Sequence, residues 1–264
     1  MGKFINNFNM KYSVYTFIFG KDYEKLREIA HPDPEAEYIC ITDNENLHSD
    51  TWQIICTDLG IPDAEYTGTN TAIRRSYRAR WTWYKYTHND IVVIMDGSVT
   101  IANNLQPLIH RISKYDAMIL THLSRNTIAQ EYKAWISLRN LDEKYMHIFA
   151  DAVKPFDIYT DKGLFATTTM IMNRNQRCID LSNSVMQTLK TISNDEDRVD
   201  QIYLSYLLNT KFFNTLDICF TTFDYLYRTY FNVYAHNSDI IYNQFDCYDN
   251  KYQNNKIIHL NMDL

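Results

Sequence analysis

The apolar positions fall in short blocks separated by polar turns, and the blocks switch between two periods. Residues 12–19 alternate β-branched and aromatic side chains and stop at Gly20, as a strand before a turn does, and residues 22–29 then repeat at helical spacing. His31-Pro32-Asp33-Pro34 breaks that helix, and residues 37–42 read as a second strand ending in Asp43-Asn44. A third strand is expected over 52–56 and a helix over 71–87. The central block is Ile91-Val92-Val93-Ile94-Met95-Asp96-Gly97-Ser98, a continuous apolar run that suits a strand covered on both faces and ends in an acid, a glycine and a hydroxyl.

Beyond it the pattern predicts a helix over 104–113, a strand over 116–120, a long helix over 126–141, and a glycine-led strand over 162–172. An amphipathic helix follows over 178–192, then one whose first turn holds Asp195, Glu196 and Asp197 and whose apolar face runs from Ile202 to Leu208. A short apolar strand over 256–260 carries His259. Strands alternating with helices predict an α/β fold with a mixed, mostly parallel central sheet flanked by helices. No linker, repeat or composition shift divides the 264 residues, so one domain is expected, with 1–11 as a flexible start and 209–264 as an extension closing over the site.

The composition, 45% hydrophobic with 21 tyrosines, is enough for a large core and leaves nothing that looks disordered. A net charge of −6 weighs against a broad electrostatic grip on nucleic acid or anionic lipid and favours a small-molecule or sugar partner. The cysteines at 40, 56, 178, 219 and 247 form no Cys-x-x-Cys pair, which indicates neither a zinc site nor a disulfide framework and fits a reducing compartment. With no signal peptide and no stretch of about 18 apolar residues, the chain reads as cytoplasmic.

The chemistry is sought where apolar strands end. Asp96 does not fit a haloacid-dehalogenase-type phosphatase, since the nucleophile's position two residues earlier is Ile94. The six glycines form no GxGxxG or P-loop, which removes the dinucleotide and P-loop readings. What remains is a nucleotide-sugar transferase, with Asp96-Gly97-Ser98 as an Asp-x-Asp-like motif carrying Ser98 for the second acid, or an aspartate that merely caps a turn. Donor-binding candidates are Phe19, Asp43, Arg74, Arg78, Asp96, Gly97 and Ser98; Arg74 and Arg78 share a helix face by their i, i+4 spacing. His122 and Arg125, before the long helix, and Glu131, on it, are candidates for the transferred sugar or acceptor, with an Arg125–Glu131 ion pair as the structural alternative.

Several blocks together resemble the TOD/MUCI-type glycosyltransferase-like proteins, related to the wider GT-A nucleotide-sugar transferases. They are Thr42-Asp43-Asn44, Met95-Asp96-Gly97-Ser98, His122-x-x-Arg125 followed by Glu131, Gly163-Leu164-Phe165-Ala166-Thr167, and Arg198-x-Asp200-Gln201-Ile202, in order from about Tyr12 to Leu208. The resemblance implies a GT-A-like fold, a nucleotide-diphospho-sugar donor, a glycan or other hydroxyl acceptor, and Mn²⁺ or Mg²⁺. It makes Asp200 and Gln201 the catalytic pair, with Asp200 facing the acceptor or the transferred sugar. A metal on the diphosphate would be held by Asp96 and by His259 from the chain's end, a lone histidine otherwise read as a core residue. Two rival functions are kept: a phage-type transferase acting on a modified DNA base, which the acidic balance disfavours, and a nucleotide-sugar binding module without turnover.

Overall fold

Seven of the apolar runs hydrogen-bond into one sheet. In chain order its strands are β1 (Tyr12–Ile18), β2 (Ala36–Thr42), β3 (Gln53–Cys56), β4 (Ile91–Asp96), β6 (Ala117–Thr121), β7 (Phe165–Asn173) and β8 (Ile218–Thr221); β5 (Val99–Ile101) and β9 (Phe231–Val233) pair separately. Across the sheet they follow the order β3-β2-β1-β4-β7-β6-β8. The helices are α1 (Thr69–Trp81), α2 (Gln106–Ile112), α3 (Ile128–Arg139), α4 (Lys144–Ala152), α5 (Gln176–Ile192), α6 (Asp200–Asn209) and α7 (Phe223–Thr229). The structure is a computed structural model that describes residues 10–20, 25–61, 69–139, 142–160, 163–192 and 200–234.

The pairings β1·β2, β2·β3, β1·β4 and β6·β8 are parallel, whereas β7 runs antiparallel to both β4 and β6. The expected mixed, mostly parallel sheet is therefore present, with β7 as the reversed strand. The carboxyl ends of β1, β2, β4, β6 and β8 and the amino end of β7 all lie along one edge.

Both faces of the sheet are buried, which is why its strands read as unbroken apolar runs instead of alternating ones. Tyr15, Phe17, Ile39, Ile41, Val92 and Ile94 pack on one side with Ala79 and Trp81 of α1 and with buried residues of α3, α4, α5 and α6. Val14, Cys40, Ile91, Val93 and Met95 pack on the other with α2, α7 and β9. Alternate residues of one run thus feed two cores.

Several boundaries differ from the sequence expectation. Lys25 to Ile29 is not helical: the Arg27 carbonyl accepts from the Trp52 indole at 3.0 Å and Ile29 is buried, so tertiary contacts hold the segment open. The helix expected over 71–87 ends at Trp81 and continues as a 3₁₀ turn over Trp83–Lys85. The periodicity did not pick out α4, α7, β5, β8 or β9; β8 lies within 209–264 and forms an edge of the main sheet. The strand expected over 256–260 lies outside the described residues.

Candidate functional site

Asp96 closes β4 and has the same parity as Val92 and Ile94, so its side chain leaves the sheet on the face covered by α1 and α6. Asp200 is the first residue of α6 and is 4% exposed. Between the two stands Arg80, near the end of α1. One terminal nitrogen of its guanidinium donates to Asp200 Oδ2 and the other to Asp96 Oδ1. Its carbon lies 5.0 Å from the centroid of the Phe17 ring. Burial opposes the charge on Arg80, but Asp200 and Asp96 more than offset it and push its pKa above the ordinary arginine value. The Trp81 indole donates to Asp200 Oδ2 at 2.9 Å and the Thr167 hydroxyl lies 3.4 Å from Oδ1. The Tyr227 hydroxyl lies 2.7 Å from Thr169 Oγ1, and loss of water around it raises its pKa, with Asp96 adding to the effect.

A second cluster flanks the first at the end of β2. Gly20 takes φ +86°, a conformation that favours glycine, just after β1, and its N–H donates to Asp43 Oδ1 at 3.2 Å. Arg75 Nη1 donates to the other oxygen of Asp43 at 2.7 Å, while its Nε and Nη2 reach the Ile61 carbonyl at 3.0 and 2.6 Å. Asp43 keeps 20% of its side chain exposed against 5% for Arg75. The acid is the member of that pair that a ligand can reach.

The third cluster lies beyond β6. Thr127 and Gln130 form a reciprocal cap at the start of α3: Gln130 N donates to Thr127 Oγ1 at 3.1 Å and Thr127 N to Gln130 Oε1 at 3.2 Å. That cap fixes the direction of Glu131, which is fully buried. Its Oε2 is paired with Arg125 Nε, and its Oε1 accepts from the Trp135 indole at 2.7 Å and from the Gln201 amide. Burial raises the Glu131 pKa, while Arg125, Trp135 and Gln201 pull it back. The backbone N–H groups of Ser124 and Arg125 approach His122 Nδ1 at 3.3 and 3.2 Å and Arg125 Nη2 lies 2.9 Å from Nε2; a neutral ring accepts through one of these nitrogens and carries its proton on the other. Burial, with the Arg125 charge adding to it, lowers the His122 pKa to about 3, so the ring is neutral at ordinary pH.

The fold thus brings Asp43, Asp96, His122, Arg125, Glu131, Asp200 and Gln201 to one sheet edge. Arg74 and Arg78 are partly buried on α1, whose inward residues are instead Arg75 and Arg80. Phe19 is 2% exposed and belongs to the core. Gly97 and Ser98 form the turn between β4 and β5, and the Ser98 carbonyl accepts from Tyr234 N at 2.8 Å. His259, Asp195, Glu196, Asp197 and Arg198 lie outside the described residues. Sequence reasoning missed Arg75, Arg80, Trp81 and Trp135. Arg75 sits at i, i+4 from both Thr71 and Ala79 on the buried stripe of α1, a stripe the structure and not the spacing identifies.

The described residues by themselves do not fit a divalent cation. Asp96 Oδ1 already binds Arg80, and among the described residues no three His, Cys, Asp or Glu side chains are grouped to hold a metal. A cavity of about 560 Å³ lined by Arg177, Asp180, Ser184 and Lys211 lies elsewhere, along α5, which begins beyond the far end of β7.

Fold and site together define an open α/β protein with an acid-and-arginine cluster at the carboxyl edge of its parallel strands, the place where such sheets bind ligands. Among solved structures the chain is similar to a galactosyltransferase, LgtC, in complex with donor and acceptor sugar analogs, at 13% identity and a TM-score of 0.45, covering 79% of this chain and 73% of that one. It is also similar to an active-site mutant of LgtC, at 11% identity and a TM-score of 0.44, covering 82% and 78%. No family model and no curated protein sequence matches the chain, so the TOD/MUCI-type assignment stays a resemblance of motifs.

Proposed function

We propose that the chain is a GT-A-like glycosyltransferase that moves a sugar from a nucleotide-diphospho-sugar to a hydroxyl acceptor in the synthesis of a glycan or surface polysaccharide. The observation that carries this reading is the Arg80 bridge, which joins Asp96 to Asp200 in the middle of a row of polar clusters. The row runs from Asp43 at β2, past β1, to Asp96 at β4, past β7, to His122 after β6. Four strand spacings of about 4.8 Å make that row roughly 19 Å long, a length that suits an extended nucleoside, diphosphate and sugar laid across the strand ends.

The roles follow from the chemistry. Asp43, partly exposed, accepts from a base N–H or from ribose hydroxyls. The bond that breaks lies between the anomeric carbon and a diphosphate oxygen, so negative charge grows on the leaving group and positive charge on the sugar. Asp200 serves the sugar side, where a fixed carboxylate orients hydroxyls or receives the acceptor's proton. Arg80 keeps Asp200 and Asp96 at a set separation. One guanidinium against two carboxylates leaves that cluster net negative, so a diphosphate there needs further positive charge from outside the cluster. His122, neutral, and Arg125 face the acceptor.

The test is incubation with a panel of UDP-, GDP- and CDP-sugars, with and without Mn²⁺, followed by quantification of released nucleotide. Release from one donor supports the reading and names the base. Absence of release from every donor, with calorimetric binding retained, would convert it to a binding module.

A further inference from the structure

Glu131 is heavily engaged, and its full burial keeps it from any ligand in this arrangement. Its donors come from three separate elements: Arg125 from the loop before α3, Trp135 one turn along α3, and Gln201 from α6. The contact with Gln201 has only one chemically sensible orientation. A carboxylate held by an arginine and an indole can only accept, so the half of the Gln201 amide that meets it is the NH₂ group. The carbonyl oxygen of that amide is thereby turned off Glu131, and Gln201 is partly exposed while its neighbour Asp200 is buried.

Resting on the glycosyltransferase reading, we infer that Glu131 is a positioning residue that locks the Gln201 amide so that its Oε1 oxygen, and not its NH₂ group, is presented to the transferred sugar beside Asp200. An oxygen there is useful because positive charge develops on the ring as the diphosphate leaves, whereas an NH₂ group in its place would oppose that charge. Without Glu131 the amide has no fixed sense, since its two ends are nearly the same size and exchange by a half-turn. The groups that bear on this carboxylate are Arg125, neutral His122 with Nε2 3.8 Å from Glu131 Oε2, and Asp200 next to Gln201, itself tied to Arg80.

The experiment uses the full chain and whichever donor of the UDP-, GDP- and CDP-sugar panel gives most nucleotide release. Glu131→Gln is expected to lower kcat by about 10- to 100-fold while donor KM stays within about twofold, as misplacement of a reacting group does. Gln201→Glu places a second carboxylate against that of Glu131. Its activity should recover as pH falls, because the introduced group, once protonated, donates to Glu131 as the amide did, and the wild type should show no such recovery. In the double variant Glu131→Gln/Gln201→Glu, donor and acceptor are exchanged and the acid recovery should vanish. Wild-type kcat in Glu131→Gln, or a Gln201→Glu pH profile parallel to wild type, overturns the inference even if Glu131→Gln folds poorly. No release by the wild-type chain overturns the glycosyltransferase reading itself, and the inference with it, a result separable from the other two because it appears in the control.

Discussion

Replacing His122 by asparagine tests whether the ring is held neutral by its surroundings. Asparagine keeps an acceptor near the N–H groups of Ser124 and Arg125 but cannot take up a proton. The fold lowers the His122 pKa from 6.5 to about 3, through burial first and the Arg125 charge second. The unfolded chain therefore binds more protons at this residue between those two values, and stability falls as pH falls through that window. The contribution is complete only above the unfolded pKa. Between about pH 7.5 and pH 5 the linkage integral, RT ln[(1 + 10^1.5)/(1 + 10^−2)], comes to about 2 kcal/mol. That corresponds to roughly 4–8 °C in Tm for a domain of this size. Urea unfolding followed by circular dichroism at each pH should show wild type losing about 2 kcal/mol more than His122→Asn over that interval. The difference between the two curves removes the titration of every other group. Parallel curves would show that the ring accepts a proton freely in the native state, and a buried ring beside the Arg125 charge would be the wrong description of this site.

Arg80→Met leaves Asp96 and buried Asp200 without their shared cation and should destabilise by about 3–5 kcal/mol in urea unfolding, with much of the loss recovered in Arg80→Met/Asp200→Asn; equal loss in single and double variants refutes the bridge. Asp200→Asn should lower turnover by about a hundredfold or more with donor binding retained by calorimetry, and wild-type turnover removes its role. Asp43→Ala should weaken UDP or GDP binding by about tenfold, about 1.4 kcal/mol, while unchanged calorimetric affinity takes Asp43 out of the nucleoside site. If His259 joins Asp96 on Mn²⁺, His259→Ala should bind Mn²⁺ more weakly than wild type in the presence of UDP, and equal titrations return His259 to a structural role.

The sheet was legible because burial on both faces writes itself into the sequence as continuous apolar runs, and β1, β2, β4, β6 and β7 were found within a few residues of their bounds. Short β5, β8 and β9 give too few positions for a period to declare itself. The acids of the site were legible for a related reason: a carboxylate directly after a core strand has few structural excuses, and Asp43 and Asp96 both stand there. What could not be read was which arginines face inward. Arg74 and Arg78 look paired by spacing alone, but α1 is oriented by Ala79 and Trp81 against the sheet, and that rotation turns Arg75 and Arg80 to the acids. The Glu131 partners Trp135 and Gln201 were similarly hidden, the second because helix–helix packing brings α3 and α6 together across 70 residues of chain.

The order of strands across the sheet also separates pairings that close early in the chain from pairings that need distant sequence. Strands β1 to β4 pair among themselves using residues 12–96, so half of the sheet is available as soon as those residues have been synthesised. Strand β6 must wait: its neighbours are the reversed strand β7 and the edge strand β8, which come about 50 and 100 residues later. Arg80 meets Asp96 within the early half, whereas Asp200 arrives with the late one. The guanidinium that organises the site is therefore also a staple between the early and the late parts of the chain, across 120 residues to Asp200 and 16 to Asp96.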